Sequence, residues 1–156
     1  MLISKTMNSA LNKQLGNEFS ASLQYVSIAA HCSAEGLPVF AAHFFKQAEE
    51  ERDHAMRFVK FLGDAGGSVE IPAVPAPQAS FNTIEAAVQL SLDQEKQVTQ
   101  HISELTQLAI RESDHITHTF LNWFLQEQLE EVSSMENLLK MVRRAGEDRL
   151  LYVETF

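Results

Sequence analysis

Glu51-Arg52-Asp53-His54 sits inside the stripe Phe40, Phe44, Gln47, Glu51, His54, Phe58, Phe61, whose members follow one another in steps of four and three. That spacing is the face an amphipathic helix turns toward its neighbours. A carboxylate on such a face is costly to bury unless something cationic compensates it. Three other segments repeat the anomaly. Leu11, Leu15, Glu18, Ser22, Tyr25, Ala29 carries one Glu, and Ile84, Val88, Ser91, Glu95, Val98, Ile102, Leu105 carries another. Leu121, Phe124, Gln128, Glu131, Met135, Leu138, Val142 carries a Gln and a Glu. Four helices each place a carboxylate where leucine is expected, and that is the pattern of a metal site.

The composition narrows the classes. At 156 residues the chain is the size of one domain, 1–156, with room for a sizeable core. Twelve Lys+Arg against 21 Asp+Glu give a formal charge of −9, which disfavours nucleic acid and attracts cations. The lone Cys32 rules out an internal disulfide framework and a cysteine-rich zinc site. The N-terminal Met1-Leu2-Ile3-Ser4-Lys5 is followed by no long apolar run, so no signal peptide or membrane span is expected and a cytoplasmic location is the default.

The chain reads as all-α. A first helix is expected from Ser4 to about Ala34, and a second from Pro38 to about Ala65, stopped by Gly66-Gly67. Residues 66–82, with Pro72, Pro75 and Pro77, read as an extended connection. Asn82 with Glu85 suggests a capping box for a third helix running to about Glu112. Ser113 or Asp114 can cap a fourth, which Gly146 ends, and the tail Glu147 to Phe156 has room for a short fifth helix. The tight turns at Glu35-Gly36-Leu37 and Ser113-Asp114 demand antiparallel neighbours. The 17-residue connection is different. Extended, it reaches about 56 Å, whereas a helix of about 28 residues is about 42 Å long. It can climb the whole bundle, so the expected fold is a four-helix bundle with one long crossover between helices two and three. Glu18, Glu51, Glu95 and the Gln128/Glu131 pair fall near the midpoints of their helices, where up and down helices share one height.

Glu51 and His54 stand one turn apart and can bind one ion together. Oxygen-rich ligation with a single imidazole suits iron or manganese better than copper, and the absence of thiolate argues against structural zinc. Four carboxylates can share two cations, and two such ions suit two-electron chemistry on dioxygen. For any one of these glutamates a solvated or salt-bridged side chain is the simpler reading. Four at one level reverse the balance.

Essentially the whole chain resembles the bacterial non-haem ferritins, within the ferritin-like di-iron superfamily, a known template to which the ligand pattern is matched. The residues that carry the resemblance are Glu18 with Tyr25, Glu51-Arg52-Asp53-His54, the long crossover, Glu95, and Trp123-Phe124-Leu125-Gln126-Glu127-Gln128-Leu129-Glu130-Glu131. The resemblance implies that Glu18, Glu51 and His54 hold a first iron, that Glu51 bridges to a second held with Glu95 and Glu131, and that Gln128 lies beside the pair. It implies a hydroxyl from Tyr25 on a ligand glutamate, supplying an electron. It also implies a third, looser iron position at Glu50, Glu127 and Glu130. Such proteins oxidise Fe(II) with dioxygen or hydrogen peroxide and store Fe(III) mineral inside a shell of 24 subunits.

Three departures place the chain within that superfamily. Gln128-Leu129-Glu130-Glu131 lacks the second Glu-x-x-His of bacterioferritins and rubrerythrins. Arg52 stands where bacterioferritins carry a haem-binding Met, so no haem is expected. The tail is shorter than the fifth helix that usually lines the four-fold channel. The leading function is a ferroxidase subunit of an iron-storing cage; the alternatives are a ferritin-like peroxide scavenger and a non-catalytic shell subunit. His31, His43, His101, His115 and His118 share no register with the site and read as surface or subunit-contact residues, and Trp123 reads as packing.

Overall fold

Ser4 begins the first helix by accepting a hydrogen bond from Met7 N at 2.9 Å, the usual side-chain cap for otherwise unpaired N–H groups. The computed structural model describes residues 1–155, and these form five α-helices, a short 3-10 turn over Glu147–Arg149 and no strand. The helices are α1 (Lys5–Ala34), α2 (Pro38–Asp64), α3 (Ile84–Arg111), α4 (His115–Ala145) and α5 (Leu150–Val153). Phe156, the last residue of the tail, lies outside the described residues.

The ends of the bundle settle the topology. At one end Leu2 N donates to Ala65 O after α2, and Ser4 Oγ donates to Glu112 after α3. At the other end the tail gathers the starts of the same two helices. Glu154 accepts from Val39 N and Phe40 N at the start of α2, and Glu147 accepts from Ile84 N and Glu85 N at the start of α3. Helices α2 and α3 therefore run parallel, joined by the long crossover.

That crossover lies along α1, whose amides satisfy its backbone. Asn12 bonds Ser68 O and Glu70 N, Asn8 accepts from Ser68 N, and Gln24 makes a two-way pair with Gln78. It also presses Pro72 onto Gly16, where any Cβ would overlap the proline ring. The expected Asn82 capping box does not form. Thr83 Oγ1 accepts from Ala86 N instead, so the extended residue that precedes the helix is one position later. Of the two candidates for α4, Asp114 is the cap, while Ser113 makes the turn with a φ of +54°.

The core is split by the polar layer. On the tail side, Tyr25, Ile28, Phe40, Phe44, Val88, Met135, Leu138 and Val142 pack together with Leu150 and Val153 of the tail. On the other side, Met7, Leu11, Leu15, Phe58, Leu62, Ile102, Leu121 and Phe124 form a second cluster. Between them on every long helix lies a buried polar residue: Glu18, Glu51 with His54, Glu95, and Gln128 with Glu131.

Candidate metal centre

Each long helix delivers its carboxylate to this layer because Glu18, Glu51, Glu95 and Glu131 occupy inward positions of the helical repeat. Glu18, Glu51 and Glu95 are fully buried and Glu131 is 7% exposed. His54 Nδ1 lies 3.3 Å from Glu51 Oε2 and 3.8 Å from Glu18 Oε2. Its other nitrogen is 3.7 Å from Glu131 Oε1 and 4.0 Å from Glu127 Oε2. Three groups of donors have their atoms within 4.8 Å of one another: Glu18/Glu51/His54, Glu51/Glu95/Glu131 and His54/Glu127/Glu131. Glu51 belongs to the first two.

Most of the acceptor oxygens have nothing to accept. Both oxygens of Glu51, both of Glu131 and Oε2 of Glu18 are buried without a hydrogen-bond partner. Buried polar atoms are nearly always paired, so such a concentration needs an explanation. Burial, then the neighbouring Glu18 and Glu95 charges, raise the Glu51 carboxyl well above its ordinary range. Burial and Glu95 raise Glu131 to about 10. Both shifts favour the protonated carboxyl in the absence of a cation, and a bound cation would favour the ionised form.

The surrounding groups orient the carboxylates. Tyr25 Oη donates to Glu95 Oε1 at 2.5 Å, and burial followed by the Glu95 charge keeps that phenol protonated far above its usual range. Gln128 Nε2 donates to Glu95 Oε2 at 3.1 Å and lies the same distance from Thr99 Oγ1. Gln14 Nε2 donates to Glu18 Oε1 at 3.1 Å. The His54 ring meets Trp123 and Phe124 edge-on at 5.5 and 5.7 Å between centroids, and Arg57 covers Trp123 with its guanidinium carbon 3.7 Å from the ring centroid. Beside the centre, His43, Gln47, Glu50, Glu127, Glu130 and Glu131 line an open cleft of about 330 Å³.

Residues 8–145 match the family whose description is Ferritin-like domain. The chain belongs to the ferritin family. It is 43% identical over 146 residues to Ferritin BfrB of Mycolicibacterium smegmatis, covering 94% of this chain and 80% of that one. It is 38% identical over 147 residues to the bacterial non-heme ferritin of Staphylococcus aureus, covering 94% and 89% of the two chains. Its fold is similar to that of an open pore ferritin from the hyperthermophilic archaeon Archaeoglobus fulgidus, with a TM-score of 0.96, 34% identity, and coverage of 99% of this chain and 95% of that chain. The four-helix bundle with its long crossover is thus that of a ferritin.

Within this ferritin-family fold, the sequence-predicted Glu18, Glu51, His54, Glu95, Gln128, Glu131 and Tyr25 meet in one layer. Glu50, Glu127 and Glu130 line the adjoining cleft, Glu127 half-buried and Glu130 exposed, but of the three only Glu127 is grouped with other donors, His54 and Glu131. Gln14 and Thr99 went unnoticed in the sequence. Both stand one turn from a layer glutamate (Gln14 before Glu18, Thr99 after Glu95), and that spacing was the available signal. Two histidines read as unrelated to the site also stand closer than expected: His43 lines the cleft and His101 contacts Asn17, next to Glu18.

Proposed function

We propose that this ferritin-family chain is the ferroxidase subunit of an iron store, oxidising Fe(II) at the buried layer and passing Fe(III) to a mineral inside a shell of 24 subunits. The observation that supports this reading best is the set of five buried, unpartnered carboxylate oxygens on Glu18, Glu51 and Glu131, grouped with His54. Oxygen donors with one imidazole suit iron. Glu18, Glu51 and His54 would hold one Fe(II), and Glu51, Glu95 and Glu131 the other, each ion giving up one electron so that dioxygen or peroxide is reduced by two.

The protein's own part is preparation. Burial and neighbouring carboxylates raise Glu51 and Glu131, so binding of Fe(II) there would be coupled to proton release. Tyr25 and Gln128 hold Glu95 from two sides. Trp123 and Phe124 shield the imidazole from water. Arg52 beside Glu51 offers no axial ligand, which fits a haem-free centre.

Glu51→Ala removes the bridge, so Fe(II) oxidation followed by ultraviolet absorbance should slow by at least about tenfold, in line with losses on removing a metal-orienting group. Folding should survive because the variant removes a desolvated carboxyl whose two oxygens have no hydrogen-bond partner. Oxidation at the parental rate would sink the assignment. Glu50, Glu127 and Glu130 form the third, looser position, an exit toward the mineral. Replacing all three with Ala should leave two metals per subunit and abolish the third in metal-soaked crystals; a parent with no third metal under saturating Fe(II) would remove this position.

A further inference from the structure

Glu18 is gripped by a neutral amide on one oxygen only. Gln14 is 2% exposed, lies one turn before Glu18, and donates from Nε2 to Glu18 Oε1 at 3.1 Å. Glu18 Oε2 has no protein partner and stands 3.8 Å from His54 Nδ1. One oxygen is tied back and the other is presented beside the imidazole.

The orientation of Gln14 is itself determined. Its Oε1 accepts from Asn17 Nδ2 at 3.1 Å, which leaves Nε2 as the end that faces Glu18. Asn17 Nδ2 also lies 3.3 Å from His101 Nδ1 on α3, a contact in which the imidazole accepts the second amide hydrogen when its own proton is on Nε2. The line His101, Asn17, Gln14, Glu18 thus runs from a surface groove between α1 and α3 into the buried layer. On the far carboxylate Gln128 also offers a neutral amide, its Nε2 donating to Glu95 Oε2 and lying 3.1 Å from Thr99 Oγ1. A neutral amide is the fitting donor here. It orients a carboxylate without a positive charge that would repel the arriving cation.

We infer that Gln14 is a positioning residue for the Glu18/Glu51/His54 metal position, with Asn17 and His101 fixing its amide. The inference rests on the proposed centre, so its test must separate the two. Metal-free protein is titrated with Co(II), a redox-inert probe under anaerobic conditions, and the visible spectrum is followed for parent, His54→Ala, Gln14→Leu and Asn17→Ala. His54→Ala identifies the band of the imidazole-bearing position. A parent that binds no Co(II), or a His54→Ala spectrum identical to the parent's, overturns the centre and this inference with it.

Gln14→Leu keeps most of the volume and removes the amide. Affinity at the imidazole-bearing position should fall about tenfold or more, as on loss of other groups that orient a ligand. The Glu51/Glu95/Glu131 position should keep its parental affinity, which general loosening of the bundle would not allow. Asn17→Ala should give a smaller loss at the same position. Parental affinity at both positions in Gln14→Leu, or equal loss at both, overturns the inference while leaving the centre intact. Should Gln14→Leu fail to fold, Asn17→Ala decides on the same terms: a selective loss supports it, and an even or absent loss overturns it.

Discussion

Glu131 concentrates the chemistry of the centre in one side chain. Its carboxyl is raised from an ordinary value of 4.5 to about 10, first by burial and then by Glu95. Glu51 is moved in the same direction by burial and by Glu18. For an acid whose folded-state pKa is raised, the native state holds more protons than the unfolded chain between the two values, so stability falls as pH rises through that window. The contribution is undiminished below pH 4.5 and drains away toward pH 10. Metal-free protein should therefore melt at progressively lower temperature between about pH 5 and pH 9, followed by circular dichroism in chelator. Glu131→Gln, which stays neutral at every pH, should flatten that slope, and a slope equal to the parent's would show that Glu131 is not the titrating group. Adding a divalent cation should stabilise the parent most at the alkaline end, where removing the carboxyl protons to admit the cation costs least.

Among the elements, the four long helices were legible because hydrophobic spacing, Gly36, Pro38, Gly66 and Gly146 are all local signals, and the helix ends beside these residues fall within about two residues of them. The buried glutamates were legible for the same reason, each breaking a stripe. What could not be read was whatever depends on contacts distant in sequence. Asn82 looked like the cap of α3, yet Thr83 holds the extended conformation, and the first N–H groups of α3 are met by Glu147, 63 residues away from Ile84. Leu37 gives α2 no side-chain cap, and Glu154 of the tail supplies one by accepting from Val39 N and Phe40 N at 2.9 and 2.7 Å. The tail is thus a clip across the starts of two helices, with Leu150 and Val153 buried beneath it. Glu154→Ala should destabilise the fold by about 1 kcal/mol, the usual loss of a helix cap, seen as a lower denaturant midpoint. It should leave the rate of Fe(II) oxidation unchanged, since the polar layer lies beyond the Tyr25/Phe40/Phe44 cluster. An unchanged midpoint would mean that solvent caps α2 equally well.

For the whole molecule, the surface is what a single subunit leaves unexplained. Leu23 and Val26 on α1 are 45% and 41% exposed, and Phe45 and Met56 on α2 are 45% and 41% exposed. Leu23 and Val26 stand three residues apart, and Phe45 and Met56 eleven, so each pair keeps to one side of its helix. Side chains of this size and placement are a poor choice for a lone acidic protein and a good one for a surface covered by other subunits. The charge of −9 works against assembly, because like subunits repel until salt screens them. Screening acts over about 30 Å at 0.01 M salt and about 8 Å at 0.15 M. The proposed shell should therefore be favoured by ionic strength, with light scattering at 0.15 M salt giving the mass of a closed cage of about 24 subunits. Leu23→Glu combined with Phe45→Glu should release smaller species of unchanged helical content, because both positions are exposed within the subunit and only an interface would bury them. Intact shells in that double variant would place the contacts elsewhere on the surface, and parental protein that stays monomeric or dimeric at every salt concentration would end the proposal of a closed cage.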